Sequence, residues 1–202
     1  EMCIRDRYSM DDLVADAEGV IEALGLAPVI FIGLSIGGMI GQRLAAKRPD
    51  LVKALVLSNT AARMGEPAMW HDRMTAIRKG GVSSLETAIL DRWFGADFRR
   101  SDDARLWGAM LSRTPTEGYL GCCAAISETD LTDETATLRL PTLAIAGSQD
   151  GASPPELVKA TAALIPGANL QVIEGAGHLP CVEAPATFGS ILKRFLKDKT
   201  DD

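Results

Sequence analysis

The sequence predicts an α/β fold: a mainly parallel sheet covered by helices on both faces, with a helical insertion between two of its strands. Three observations carry this. Short apolar runs alternate with stretches of helical periodicity at both ends of the chain, the pattern of strands joined by crossover helices. The strand-like runs are nearly continuous in apolar residues, as strands buried on both faces are. Between about Arg63 and Leu138 those runs stop and amphipathic segments take over. At 202 residues the chain suffices for one domain with a sizeable core.

The elements follow in order. The first seven residues, EMCIRDR, are unlike the rest and read as the translation of a sequencing adapter, so the natural protein is expected to begin upstream of Tyr8. Ser9 and Asp12 form a capping box. Met10, Leu13, Val14, Ala17, Val20, Ile21 and Leu24 then recur at helical spacing, and Gly25 closes the helix. After Pro28, Val29 to Leu34 is a strand buried on both faces, and a second helix runs from the following turn to about Lys47. KALVLSN (53–59) is another buried strand, PTLAIAG (141–147) a third and NLQVIE (169–174) a fourth. The run from Ser153 through two prolines to Glu156 caps a helix reaching about Ile165. Phe188, Ile191, Leu192, Phe195 and Leu196 form the inner face of the last helix. The insertion reads as four short helices within PAMWHDRMTAIRKG, SSLETAILDRWF, DDARLWGAMLS and PTEGYLGCCAAIS, and it holds all three tryptophans. Open α/β sheets bind ligands at the carboxyl ends of their strands, so this insertion is expected to lie there as a lid. The expected division is 1–7 adapter remnant, 8–62 first part of the core, 63–138 lid and 139–202 second part of the core.

Composition excludes some classes of function. The chain is 47% hydrophobic and 24% charged, with a net charge of −6 and no Lys/Arg cluster, which argues against nucleic acid as a partner. From Leu24 to Gly41 there is no charge, but five glycines and Pro28 interrupt the run and amphipathic segments flank it, so it reads as strand, turn and helix and not as a membrane span. Cys3, Cys122, Cys123 and Cys181 show neither metal-ligand nor disulfide-framework spacing, which points to a reducing, cytoplasmic compartment.

The turn after the first strand reads GLSIGG, residues 33 to 38. Gly33-Leu34-Ser35-Ile36-Gly37 fits G-x-S-x-G in its required setting, after a strand and before a helix, where a strained backbone presents the serine and small neighbours keep its surroundings open. The Ile36 amide is placed to face a developing oxyanion. A serine nucleophile needs a base, and the base an orienting acid. Of the two histidines, His71 lies on an insertion helix and reads as a solvated residue, whereas His178 in GAGHLP follows the last strand. Asp150 in AGSQDGASPP ends the strand before it. The order Ser35, Asp150, His178 is that of the α/β-hydrolases. Cys181 reads as a packing residue, because no elbow presents its thiol.

The chain resembles the 3-oxoadipate enol-lactonases, cytoplasmic α/β-hydrolases of the protocatechuate branch of the β-ketoadipate pathway. The stretches that carry this are GLSIGGMIGQRLAAKRP, VLSNTAARMGEPAMWHDR, LDRWF, TPTEGYLGCCAAI, LRLPTLAIAGSQD and GAGHLPCVE, and they span nearly everything from Ser9 onward. The resemblance covers about the last two-thirds of such an enzyme. It implies an α/β-hydrolase fold with a partial sheet and a helical lid, and a second oxyanion amide from a loop upstream of this chain. It implies attack by Ser35 on the lactone carbonyl of a small anionic substrate, with no metal or organic cofactor. The substrate carboxylate calls for a local cation, for which Arg92 is expected beside Trp93, with Arg113 next in line. Another ester hydrolase, a cofactor-free perhydrolase, a non-catalytic binding protein and an inactive truncated copy remain as alternatives.

Overall fold

The structure is a computed structural model describing residues 8–200; the segment read as an adapter remnant, 1–7, lies outside the described residues. Helix α1 (Met10–Ala23) starts on the expected capping box. Ser9 Oγ accepts from the Asp12 amide at 3.1 Å and Asp12 Oδ2 accepts from the Ser9 amide at 2.8 Å. Strand β1 (Val29–Leu34) leads through Ser35 into α2 (Ile36–Lys47), and β2 (Val52–Ser58) follows. Five helices then intervene: α3 (Pro67–Gly80), α4 (Glu86–Trp93), α5 (Asp102–Ser112), α6 (Thr116–Ser127) and α7 (Thr132–Thr137). The chain returns as β3 (Thr142–Gly147), α8 (Pro155–Ala163), β4 (Asn169–Ile173), α9 (Pro180–Glu183) and α10 (Pro185–Thr200).

The four strands form one parallel sheet in the order β1-β2-β3-β4. Side chains alternate across it as strand geometry requires. Val56, Leu143, Ile145 and Ile173 pack under α10 against Phe188, Ile191, Leu192 and Phe195, while Ala144 and Ala146 meet Val158 and Ala162 of α8. Leu55 and Leu57 join a larger cluster that includes Leu44 of α2 and Met10, Val14 and Ile21 of α1. Every residue of β3, and all of β2 but Lys53, is buried.

Three expectations are corrected. β1 is not buried on both faces: it forms an edge of the described sheet, and Ile32 is 47% exposed. Ser153 does not cap α8; Pro154 stands at that position, and the Ser153 hydroxyl is buried without a hydrogen-bond partner among the described residues. α4 continues from a 3₁₀ turn over Val82–Leu85, with Leu85 at its N-cap. The short helices α7 and α9 were not expected, because TDETAT and PCVE are too short to display a helical period. Tertiary contacts hold α7: Thr135 Oγ1 donates to Gln42 Oε1 at 2.8 Å, and Arg43 of α2 forks onto Glu134. Among the described residues no helix is long and apolar enough to cross a membrane.

Candidate active site

The parallel sheet brings the ends of β1, β3 and β4 to one side, and the three residues singled out in the sequence lie there. Ser35 has φ 55° and ψ −122°, a backbone that side chains other than glycine rarely adopt. Its amide donates to Ser58 O at 3.0 Å, and its carbonyl accepts from Thr60 Oγ1 at 2.6 Å and from the Gly38 amide at 2.9 Å. The end of β2 therefore holds the strained residue on both sides. Gly33 is required here, since a Cβ on it would lie 2.2 Å from Gly37 O. Gly37, for which the same reason was expected, faces open space, so its own side chain is not what the elbow excludes. Ile36 is the first residue of α2 and has no helical carbonyl four residues back, which leaves its N–H directed out of the helix terminus.

Asp150 and His178 form a buried pair, 4% and 3% exposed, with His178 Nδ1 2.9 Å from Asp150 Oδ2. Asp150 Oδ1 accepts from the amides of Ala152 and Ser153 at 2.7 and 2.9 Å, and Oδ2 also accepts from Asn59 Nδ2 at 2.8 Å. These four contacts match the acceptor capacity of a carboxylate. The Ser35 hydroxyl makes no hydrogen bond among the described residues. It lines the same cavity as His178, and such contacts are often long before substrate binds.

That cavity has a volume of about 390 Å³, and α3, α4 and α6 supply much of its wall. Arg92 and Trp93 both line it, as expected. Arg92 Nε donates to Gly151 O at 3.0 Å, while the Gly151 amide donates to Arg92 O at 3.0 Å, so the arginine is docked on the loop that carries Asp150. Burial and then the nearby Arg73 charge lower the Arg92 guanidinium from its ordinary value, and the Asp150 charge opposes this. Arg113 is not in the cavity: it is exposed past the end of α5, its Nε turned back to Ala109 O. Arg73 takes the place foreseen for it. It lines the cavity, lies 5.1 Å over the Trp70 ring and reaches Tyr119 Oη at 3.5 Å. No acidic side chain lines this cavity among the described residues.

His71 is exposed, in line with the solvated reading. Cys181 is exposed and outside the cavity, a correction to its reading as a packing residue, because the short α9 turns it outward. Cys122 and Cys123 line the cavity, and burial pushes the Cys123 thiol up to about 11, so it stays protonated near neutrality.

Three participants were missed in the sequence. Arg73 carries no signal in the sequence, because the helical period of α3 does not say which of its cations faces inward. Asn59 was read as the last residue of a strand, but the strand ends at Ser58, and Asn59 turns to φ 48° with its amide between Asp150 Oδ2 and Gly177 O. The only local signal was an asparagine at a strand end, a residue that tolerates the left-handed region. Glu183 accepts from the amides of Gly95 and Gly177, both at 2.7 Å, fastening the end of α4 to the histidine loop. The His178 amide donates to Trp93 O at 2.6 Å across the same junction.

Comparison with known proteins agrees on the fold, while the relatives' named activities differ. The alpha/beta hydrolase fold family matches residues 1–185. The chain is 30% identical over 195 residues to 3-oxoadipate enol-lactonase 2 of Acinetobacter baylyi, covering 93% of this chain and 72% of that protein. Among solved structures, the enol-lactonase from Burkholderia xenovorans superposes with a TM-score of 0.87 at 34% identity, covering 94% of this chain and 74% of that one. A thermophilic esterase from Thermogutta terrifontis, solved with malate bound, superposes with a TM-score of 0.88 at 29% identity, covering 95% and 73%.

Proposed function

The chain belongs to the alpha/beta hydrolase family, and from that premise we propose that it is a serine hydrolase opening 3-oxoadipate enol-lactone to 3-oxoadipate. Ser35 is the nucleophile, His178 the base and Asp150 its orienting partner. In this reading His178 takes the Ser35 proton as Oγ attacks the lactone carbonyl, and the Ile36 amide donates to the oxyanion. Collapse breaks the ring C–O bond and releases an enolate oxygen, which His178 protonates; the enol then tautomerises to the ketone. Water, deprotonated by the same histidine, attacks the acyl-enzyme and frees the second carboxylate. No metal or organic cofactor enters the scheme. Residues 63–138 act as the lid, residues 8–62 and 139–202 as the core, and a cytoplasmic address belongs to the same reading.

The observation that supports this best is the pairing of a buried Asp150–His178 contact with a cavity that carries two arginines and no carboxylate. A guanidinium can clamp a carboxylate through two parallel hydrogen bonds. Arg92 is the proposed clamp, Arg73 the second cation, and Trp93 the wall beside them.

A fluorophosphonate probe tests the chemistry. It should label Ser35, and Ser35→Ala should abolish labelling and lower kcat by roughly four orders of magnitude or more. Undiminished turnover in the alanine variant would end the serine-hydrolase reading. A broader ester hydrolase is the second reading, favoured by the likeness to the Thermogutta esterase. Neutral aryl esters turned over as well as the anionic enol-lactone would select it.

A further inference from the structure

We infer that Asn59 is a positioning residue for the Asp150–His178 pair, acting as a neutral strut between the acid loop and the histidine loop. This rests on the serine-hydrolase reading above. Asn59 is fully buried at the end of β2, the strand lying between the one that carries Ser35 and the one that ends before Asp150. Its Nδ2 donates to Asp150 Oδ2 at 2.8 Å and to Gly177 O at 3.1 Å. Both neighbours can only accept, and on the other side Ser58 Oγ donates to Asn59 Oδ1 at 3.0 Å. The amide therefore has one satisfiable orientation, the NH₂ toward the carboxylate and the oxygen toward the serine hydroxyl.

The same short segment grips all three parts of the site. Ser58 O accepts from the Ser35 amide, Thr60 Oγ1 donates to Ser35 O, and the Asn59 amide N–H donates to Ile145 O at 2.8 Å. Asp150 Oδ2 must serve His178 Nδ1 from one direction, and Asn59 occupies the other. Gly177 precedes His178 in the chain, so the second bond from Nδ2 fixes the loop that delivers the imidazole. An aspartate in place of Asn59 would have the same shape and backbone tolerance but would face Asp150 with acceptors only, and with a second negative charge.

The φ of 48° dictates the variants. Asn59→Gly removes the amide while relieving the backbone, and Asn59→Asp keeps size and backbone preference while removing the donor. Ser58→Ala leaves Asn59 in place and loosens only its amide. The purified variants are checked by circular dichroism, then assayed for kcat, KM and the rate of fluorophosphonate inactivation. The expected result is a loss in kcat of about 10- to 100-fold for Asn59→Gly, a larger one for Asn59→Asp, and about 2- to 10-fold for Ser58→Ala. KM should hold and the inactivation rate should fall in parallel with kcat. A merely structural asparagine would leave kcat and inactivation unchanged in any variant that folds, and that result in any one of the Asn59 variants overturns the inference. Failure of the wild-type protein to react with the probe would instead remove the reading on which it rests.

Discussion

The strand ends and the helices above them were built under different constraints. At the strand ends, Ser35, Asp150 and His178 are delivered by β1, β3 and β4, whose register is set by ladder hydrogen bonds to their neighbours in one parallel sheet. Above them, α3, α4 and α6 hold Arg73, Arg92 and Trp93 around the cavity through single side-chain contacts and loop carbonyls. A parallel sheet offers few positions where a polar side chain can leave the core, so residues at strand ends are confined to a common edge. A helix surface offers a cation several outward directions per turn, and only packing selects among them. Under the function proposed above, chemistry would sit on the part of the fold with the fewest alternatives, and substrate selection on the part with the most.

The largest test of that contrast is Asp150→Asn. It keeps the shape but disturbs the amide and imidazole contacts at Oδ2, and kcat should fall by about 10³- to 10⁴-fold. A loss of less than tenfold would mean that the buried pair does not orient the base. Next come the two arginines. Arg92→Ala should lower kcat/KM for the carboxylate-bearing lactone by about 2–4 kcal/mol while a neutral ester is hydrolysed nearly as before. Arg73→Ala should show the same selectivity with a smaller loss, because Arg73 also stacks on Trp70. Equal losses on both substrates would assign these residues to lid packing and erase the division between chemistry and selection.

Stability gives a third comparison. Gly147→Ala would push a Cβ to within 2.0 Å of Gly177 O, a backbone atom that has no rotamer in which to retreat. It should cost about 1–3 kcal/mol in denaturant unfolding, in the range of overpacked cores, and should lower kcat through the histidine loop. The counterpart above the sheet is Gly118, where a Cβ meets nothing within 4 Å and alanine should be neutral or slightly stabilising. The smallest effect is expected from Arg113→Ala, within about 0.5 kcal/mol and without change in kcat/KM, since among the described residues the side chain of this exposed arginine hydrogen-bonds only to its own helix. A selective loss there would return it to the substrate site.

Much of the fold was legible because its signals are local and repeated. The box of Ser9 and Asp12 and the apolar run VIFIG before a glycine-flanked serine each state their structure within a few residues. The continuous burial of β2 and β3 was also readable, since a strand covered on both faces has no polar positions to spare. The exposure of Ile32 was legible only through the partial sheet that the resemblance implies, because an edge strand and a central strand can carry the same apolar run. Nor was the helical state of TDETAT, which depends on Gln42 and Arg43 some 90 positions away in the chain.

The sequence by itself determined the order of the strands and the longer helices, the elbow at Ser35 and the candidates Asp150 and His178, since each follows from periodicity or from a backbone conformation that few residues tolerate. Only the tertiary structure decided that Arg73 and not Arg113 joins Arg92, that Asn59 bridges Asp150 and Gly177, and that Glu183 ties Gly95 to Gly177. Those contacts join elements distant in sequence, and such a pairing leaves no trace in the spacing of either partner. The helical period limits which residues share a face, whereas the neighbour that face meets is set by how the whole core packs.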